Sequence, residues 1–220
     1  MECRVNEDWA AWPAPDRPPQ LLSGEAHVWW LPRDASSRGA VDTILAGYLE
    51  IAAIRLKISR GVRGKPAIEN DPSLHYNVSH SRDVLLLAVT RFEAVGIDVE
   101  SLDRRVDYQR VAQRFFSPAE AALVRGGGCE RFFTIWSRKE AFLKGIGEGI
   151  AFGMNRFSVT LEPGVSPVDW DGTPWFLHPL PPIPGKISAL ALPVERLRLR
   201  CFRPVVQSRE GGVECVPLQS

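Results

Sequence analysis

The sequence predicts an α+β protein of two lobes, on three observations. Short β-branched and aromatic runs bounded by Gly and Pro read as strands. Longer stretches with apolar residues at helical spacing read as helices. Their order is strand, helix, strands, then strand, helices, strands, which divides the chain near Val95. With 220 residues, the chain is long enough for one large domain or two small lobes with a real core.

The elements follow in order. Residues 1–24 are rich in Pro, Trp and Ala without periodicity and read as an extended or disordered lead-in. Residues 25–95 make the N-terminal lobe, 96–205 the C-terminal lobe and 206–220 a tail. Ala26 to Leu31 is a strand by composition. Asp34 or Ser36 caps a helix from about Ala40 to Ile58, with Ile44, Leu45, Tyr48, Leu49, Ala52 and Leu56 as its stripe. Gly61 to Pro66 is a loop that presents Lys65. Tyr76 to Ser81 leads to a strand from Val84 to Thr90. Ala94 to Glu100 is the next strand, and the short link 91–93 pairs these two as a hairpin.

Val106 to Phe116 has helical spacing. Ser117-Pro118-Ala119-Glu120 is a capping box that opens a second helix to about Val124. Gly126 to Gly128 is a joint. Glu130 to Lys144 holds no Gly or Pro and is closed by Gly145 and Gly147, which reads as a helix with a glycine stop. Arg156 to Leu161, Trp175 to Leu177, Ile187 to Leu192 and Leu197 to Phe202 read as strands. His178 to Gly185 is a proline-dense turn. Trp136, Trp170 and Trp175 read as packing residues. Phe115 and Phe116 read as buried aromatics or as part of a docking ledge.

Composition narrows the function. A net charge of +1 gives no global attraction to nucleic acid or membrane, so an anion site has to be local. The four cysteines, Cys3, Cys129, Cys201 and Cys215, lack metal-type spacing and read as reduced thiols. No signal-peptide pattern opens the chain and no apolar run reaches ~18 residues. These features place the protein in the cytoplasm.

The chemistry gathers in two stretches. Asp98 and Glu100 are two apart on a strand, so both face one side, opposite Ile97 and Val99. The pair reads as an exposed acidic strand end, or as half of a cation site, since adjacent carboxylates repel unless a cation lies between them. Glu140 and Lys144 lie one helical turn apart on one face, which alone describes a surface ion pair. If Glu140 meets Asp98 and Glu100, the three make an all-oxygen site suited to Mg²⁺, with Mn²⁺ as the other choice. Lys65, His80 and Lys144 then supply cations for phosphate charge. Together they describe a pyrophosphate held by a hard metal with flanking cations, which suits phosphoryl transfer.

These stretches match a known pattern. Gly64-Lys65-Pro66, Asn77-Val78-Ser79-His80-Ser81, Gly96-Ile97-Asp98-Val99-Glu100, Arg114-Phe115-Phe116-Ser117 and Trp136-Ser137-Arg138-Lys139-Glu140-Ala141-Phe142-Leu143-Lys144 occur in that order. The sequence resembles the 4′-phosphopantetheinyl transferase superfamily of the surfactin-activating (Sfp) type, over roughly Val28 to Phe202. The resemblance implies a pseudo-dimer of two α/β lobes with the active site in the cleft between them, and a monomeric enzyme. It implies transfer of the phosphopantetheine arm of coenzyme A to a serine of an acyl, peptidyl or aryl carrier protein, with adenosine 3′,5′-bisphosphate released. By position, Asp98, Glu100 and Glu140 hold Mg²⁺, and Glu140 takes the serine proton directly or through a water. Lys144 neutralises the attacked phosphate. Lys65, Ser79, His80 and Arg38 hold coenzyme A.

One departure keeps a second reading in play. The family has a longer segment between the first strand and first helix, which here is only Pro32 to Gly39. A carrier-binding module without catalysis, with a degenerate N-terminal lobe, accounts for that shortening. The intact Asp98, Glu100, Glu140 and Lys144 favour the enzyme. A metal-dependent pyrophosphohydrolase needs more glutamates on one helix than Glu140 and Glu148 supply.

Overall fold

A strand apolar at nearly every position needs cover on both faces, and Val84–Thr90 is buried along its whole length. In the computed structural model it is one of the two inner strands of a four-stranded sheet, and a second four-stranded sheet lies beside it. The structure describes residues 11–61, 63–92, 94–149 and 152–204, and the backbone of 206–209 and 212–215. The first sheet has the order β10 (Arg198–Phe202), β1 (Glu25–Pro32), β5 (Val84–Thr90), β4 (His75–Ser81). The second has the order β6 (Gly96–Ser101), β9 (Lys186–Leu192), β8 (Thr173–Pro179), β7 (Ser166–Trp170). The remaining elements are α1 (Ser37–Tyr48), β2 (Ile58–Arg60), β3 (Pro66–Ile68), α2 (Tyr108–Phe115), α3 (Pro118–Ile146), β11 (Val206–Arg209) and β12 (Gly212–Cys215). β2 pairs with β3, and β11 with β12. The fold class is α+β, as the sequence predicts.

Alternation along the strands builds three cores in a row. Trp29, Leu31, Leu85, Leu87 and Val89 pack on Val41, Ile44 and Leu45 of α1. From the opposite face of the first sheet, Val28, Val84, Leu86 and Ala88 meet Ile97, Val99, Leu190 and Leu192 of the second. The far face of the second sheet, with Val168, Trp175, Leu177, Ala189 and Ala191, packs on Phe133, Phe142 and Leu143 of α3. The layers therefore run α1, first sheet, second sheet, α3. Trp12 is buried in the core between the sheets, so residues 11–24 pack against the fold even though they are irregular. Residues 1–10 lie outside the described residues.

The sheets are also joined by side chains. Asn77, Ser79 and Ser81 alternate along β4 and face β6. Asn77 Oδ1 accepts from the Ile97 N–H at 2.9 Å, Ser79 Oγ from Val99 at 3.3 Å and Ser81 Oγ from Ser101 at 3.0 Å. β6 is an edge strand whose outward N–H groups need partners, and β4 supplies them from a polar face.

Several expectations are corrected. β5 and β6 form no hairpin. β5 pairs with β1 and β4, and β6 pairs with β9, because the apolar faces of the two strands pack against each other across the core between the sheets rather than side by side in one sheet. The strand 198–202, assigned by sequence to the C-terminal lobe, pairs in parallel with β1 in the first sheet. Residues 156–161 hold the end of a short 3₁₀ turn and irregular chain rather than a strand. The first helix stops at Tyr48, well before Ile58. Glu50 takes a left-handed φ of 54°, the Ile51 N–H bonds Ala46 O at 3.1 Å and the Glu50 N–H bonds Gly47 O at 3.3 Å. This is a Schellman stop made without glycine. The two helices expected on either side of Gly126–Gly128 run on as one element, α3, which is broken at Gly128, where φ is 74° and ψ is −161°.

Candidate active site

The site begins at a missing side chain. A Cβ on Gly96 would lie 1.9 Å from Ala141 O and 2.3 Å from Gly145 N. Glycine alone lets the start of β6 rest directly on α3. From that contact the pleat directs Ile97 and Val99 into the core between the sheets, and Asp98 and Glu100 toward α3. Asp98 is 4% exposed and Glu100 7%. On the facing helix, Glu140 and Lys144 are one turn apart; Lys144 reaches Asp98, and Glu140 feels the charges of Asp98 and Glu100.

Lys144 Nζ donates to Asp98 Oδ1 at 2.7 Å and to Ser79 Oγ at 2.8 Å. Ser79 Oγ donates to the same Asp98 oxygen at 2.9 Å. Ser79 thus spends its one proton and both lone pairs at the junction of β4, β6 and α3. Ser81 Oγ donates to Glu100 Oε2 at 3.2 Å. Arg104 Nη1 reaches both Glu100 oxygens, at 2.8 and 2.9 Å.

The balance of charge is incomplete. Asp98 Oδ2 is buried and has no hydrogen-bond partner, which is costly for a carboxylate oxygen. Glu140 is pushed up to about 7, first by burial and then by the negative charges of Asp98 and Glu100, against the opposing pull of Lys144 and Arg104. Among the described residues, no three His, Cys, Asp or Glu side chains are gathered as a metal cluster. The donor chemistry nevertheless fits a small hard cation. The donors are all oxygen, one of them is orphaned, and a neighbouring carboxyl is pushed up by burial and by the negative charges beside it.

The structure does not bring all of the candidate residues here. Lys65 runs from the loop between β2 and β3 to the end of α3. Its Nζ donates to Gly145 O and, at 3.3 Å, to Val95 O. Burial lowers it to about 8. Lys65 therefore stands one residue from Lys144, at the negative end of the helix. Arg63 of the same loop pairs with Glu148. His80 is exposed, on the opposite side of β4 from Ser79, and Arg38 is exposed on α1, where its charge is felt by Asp42.

Sequence reasoning passes over Arg104, and it names Asn77 and Ser81 only as parts of a motif, with no role. The alternation Asn77, Ser79, Ser81 was the available signal, since a strand face polar at every second residue has to meet polar partners. Lys139 was read only as part of a motif. It is 0% exposed, and its ammonium lies 2.9 Å from Glu120 Oε2, 2.7 Å from Met154 O and 2.5 Å from Phe157 O.

Known proteins resemble this chain in sequence. The family model of the 4′-phosphopantetheinyl transferase superfamily matches residues 94–174, which spans β6, α2, α3 and the strands β7 and the start of β8. The 4′-phosphopantetheinyl transferase HetI of Nostoc sp. is 31% identical over 219 residues, covering 80% of this chain and 92% of that protein. The 4′-phosphopantetheinyl transferase psf-1 of Bacillus pumilus is 41% identical over 103 residues, covering 45% of this chain and 43% of that one. The 4′-phosphopantetheinyl transferase Sfp of Bacillus subtilis is 30% identical over 126 residues, covering 56% and 55%. The chain belongs to the 4′-phosphopantetheinyl transferase superfamily. Among the described residues, no helix is long and apolar enough to cross a membrane.

Proposed function

We propose that this protein moves the 4′-phosphopantetheine group of coenzyme A onto a serine of an acyl, peptidyl or aryl carrier protein, acts as a monomer and requires Mg²⁺. The observation that carries this reading is the junction of Asp98, Ser79, Lys144 and Glu140, where a buried, under-neutralised set of oxygens meets one lysine. That deficit of positive charge is what a pyrophosphate-bound divalent cation relieves.

In the reaction, the serine oxygen bonds to the phosphorus that carries pantetheine. The bond from that phosphorus to the bridging oxygen breaks, and adenosine 3′,5′-bisphosphate leaves. The serine proton goes to Glu140, directly or through a water. A carboxylate within reach of the serine hydroxyl is a suitable acceptor for that proton. Lys144 neutralises charge on the phosphate under attack. Asp98, Glu100 and Glu140 would hold Mg²⁺, which when bound supplies charge neutralisation to the pyrophosphate. Arg104 then has to share Glu100 or give it up. Lys65, and with it Ser79, His80 and Arg38, is assigned to coenzyme A, with Lys65 the one placed beside the end of α3. The cleft between two similar lobes is the setting this reading needs.

The test is the intact mass of an apo acyl carrier protein after incubation with this protein, coenzyme A and Mg²⁺. A gain of one phosphopantetheine, abolished by EDTA, is the expected result. No gain across several carrier proteins, from folded protein, overturns the reading.

A further inference from the structure

The helix that carries Glu140 and Lys144 is not one rigid rod. Gly128 has a φ of 74° and a ψ of −161° inside α3, so the halves 118–127 and 129–146 are separate helical segments joined by a non-helical residue. Something else has to set the angle and rotation between them. Glu120, on the first half, is 2% exposed, and Lys139, on the second, is 0% exposed. Their side chains meet at 2.9 Å. Glu120 Oε2 also accepts from the N–H and hydroxyl of Ser117, both at 2.9 Å, and Oε1 accepts from the Val159 N–H at 2.9 Å. Lys139 adds the carbonyls of Met154 and Phe157 and lies 4.4 Å from the centre of the Phe157 ring. All three ammonium protons have acceptors, and both carboxylate oxygens have donors. A fully satisfied buried polar network tolerates little displacement, because each movement strands a charge in a dry environment.

We infer that Lys139 is a positioning residue for the transfer reaction: with Glu120 it forms a buried clasp across the Gly128 break, which sets how the second half of α3, and so Glu140 and Lys144, faces Asp98. The inference rests on the functional reading above. Lys139 directly precedes Glu140 and lies on a different side of the helix, so it touches neither substrate nor metal. It fixes the rotation of the backbone from which Glu140 projects. The same clasp ties down residues 154–159, so the two halves of α3 and this neighbouring segment share one anchor.

The experiment compares wild type, Lys139→Arg and the double variant Lys139→Met with Glu120→Gln. The double variant removes both charges and keeps a hydrogen-bonding group at 120, so it avoids leaving one ion buried alone. Lys139→Arg keeps the charge but cannot give three convergent protons to the same acceptors. Each is measured for melting temperature, for kcat and KM with coenzyme A and a carrier protein, and for amide exchange over residues 138–146. The expected result is a double variant that melts close to wild type, with KM within about threefold and kcat lowered about 10- to 100-fold, as follows from misplacing a reacting group by about 1 Å. Lys139→Arg shows the same split, and exchange over 138–146 quickens in both. If kcat recovers along with the melting temperature, or if exchange over 138–146 is unchanged in both variants, Lys139 is a stabilising residue only and the inference falls. Wild-type protein that transfers nothing to any carrier overturns the functional reading instead, and amide exchange still decides the clasp.

Discussion

Lys139 and Lys144 lie on the same half-helix, five positions apart, and their surroundings differ in one respect. Each faces a buried carboxylate at hydrogen-bond distance, Glu120 at 2.9 Å and Asp98 at 2.7 Å. Around Lys139 every donor and acceptor of the pair is used, and its side chain is 0% exposed. Around Lys144 the side chain is 27% exposed, Asp98 keeps an orphan oxygen and Glu140 is held near 7. The first cluster is complete within the protein and resists change. The second leaves a carboxylate oxygen unpaired and a neighbouring carboxyl raised, which is the deficit on which the proposed function rests. A lysine–carboxylate pair therefore says little until the remaining atoms around it are accounted for.

The largest effect that separates the two faces is on catalysis. Glu140→Gln keeps the shape of the side chain and removes the proposed proton acceptor. Transfer to a carrier protein should fall by about 10²–10⁴-fold, with the melting temperature at or above that of wild type, and phosphopantetheinylation rates would show it. Lys144→Met should lower kcat by about 10²–10³-fold, on the scale seen when one charge-stabilising group is lost. Normal turnover in both variants would dissolve the contrast.

The other face should respond in stability. Lys139→Met alone leaves Glu120 charged and buried, and urea unfolding should show a loss of about 3–5 kcal/mol. A variant as stable as wild type would mean that Glu120 had found another partner.

Proton linkage sharpens the comparison further. The folded value of Glu140, about 7, lies above its ordinary 4.5. The folded protein thus holds this proton after the unfolded chain has released it. Stability should decline as pH rises from about 4.5 to about 7 and level off above that. Urea midpoints across this range should show the decline in wild type and a flatter course in Glu140→Gln.

The smallest effect expected is from Ser117→Ala. It removes the hydroxyl of the capping box beside Glu120 and should cost about 1 kcal/mol, read as a small drop in melting temperature.

How much of this was legible varied with the kind of signal. The two Schellman stops make the point. The one that ends α3 uses Gly147 at φ 75°, with the Glu148 N–H on Leu143 O at 2.8 Å, and the glycine announces it. The one that ends α1 has the same bonds but uses Glu50, which no composition rule flags, so the helix was read too long. The capping box at Ser117 and Glu120 was plain because both halves are local in sequence. The second role of Glu120, as the acceptor for Lys139, was hidden because its partner is 19 residues away, beyond a glycine break.

The acidic pair and the Glu140–Lys144 pair were each visible as one-face patterns, since periods of 2 and 3.6 residues are properties of the backbone alone. That they meet depends on Gly96 passing within contact of Ala141 and Gly145, a close approach with no periodic signature. Ser79 was picked from a motif, but its use of one hydroxyl for Asp98, Lys144 and the Val99 N–H follows from the edge of β6 lying across β4.

The sequence by itself determined the mixed class of the fold, most strands and the main helix, and the residue types that can hold a hard cation beside a phosphate. These rest on local propensity, on periodicity and on the chemistry of each side chain, none of which needs a neighbour distant in the chain. Only the tertiary structure decided that β10 closes the first sheet beside β1, that β5 and β6 part into different sheets, and that of two lysines in one motif Lys139 is enclosed and Lys144 faces the site. Those outcomes depend on which surfaces are covered and which polar atoms find partners across the chain, and that is settled only when the layers pack.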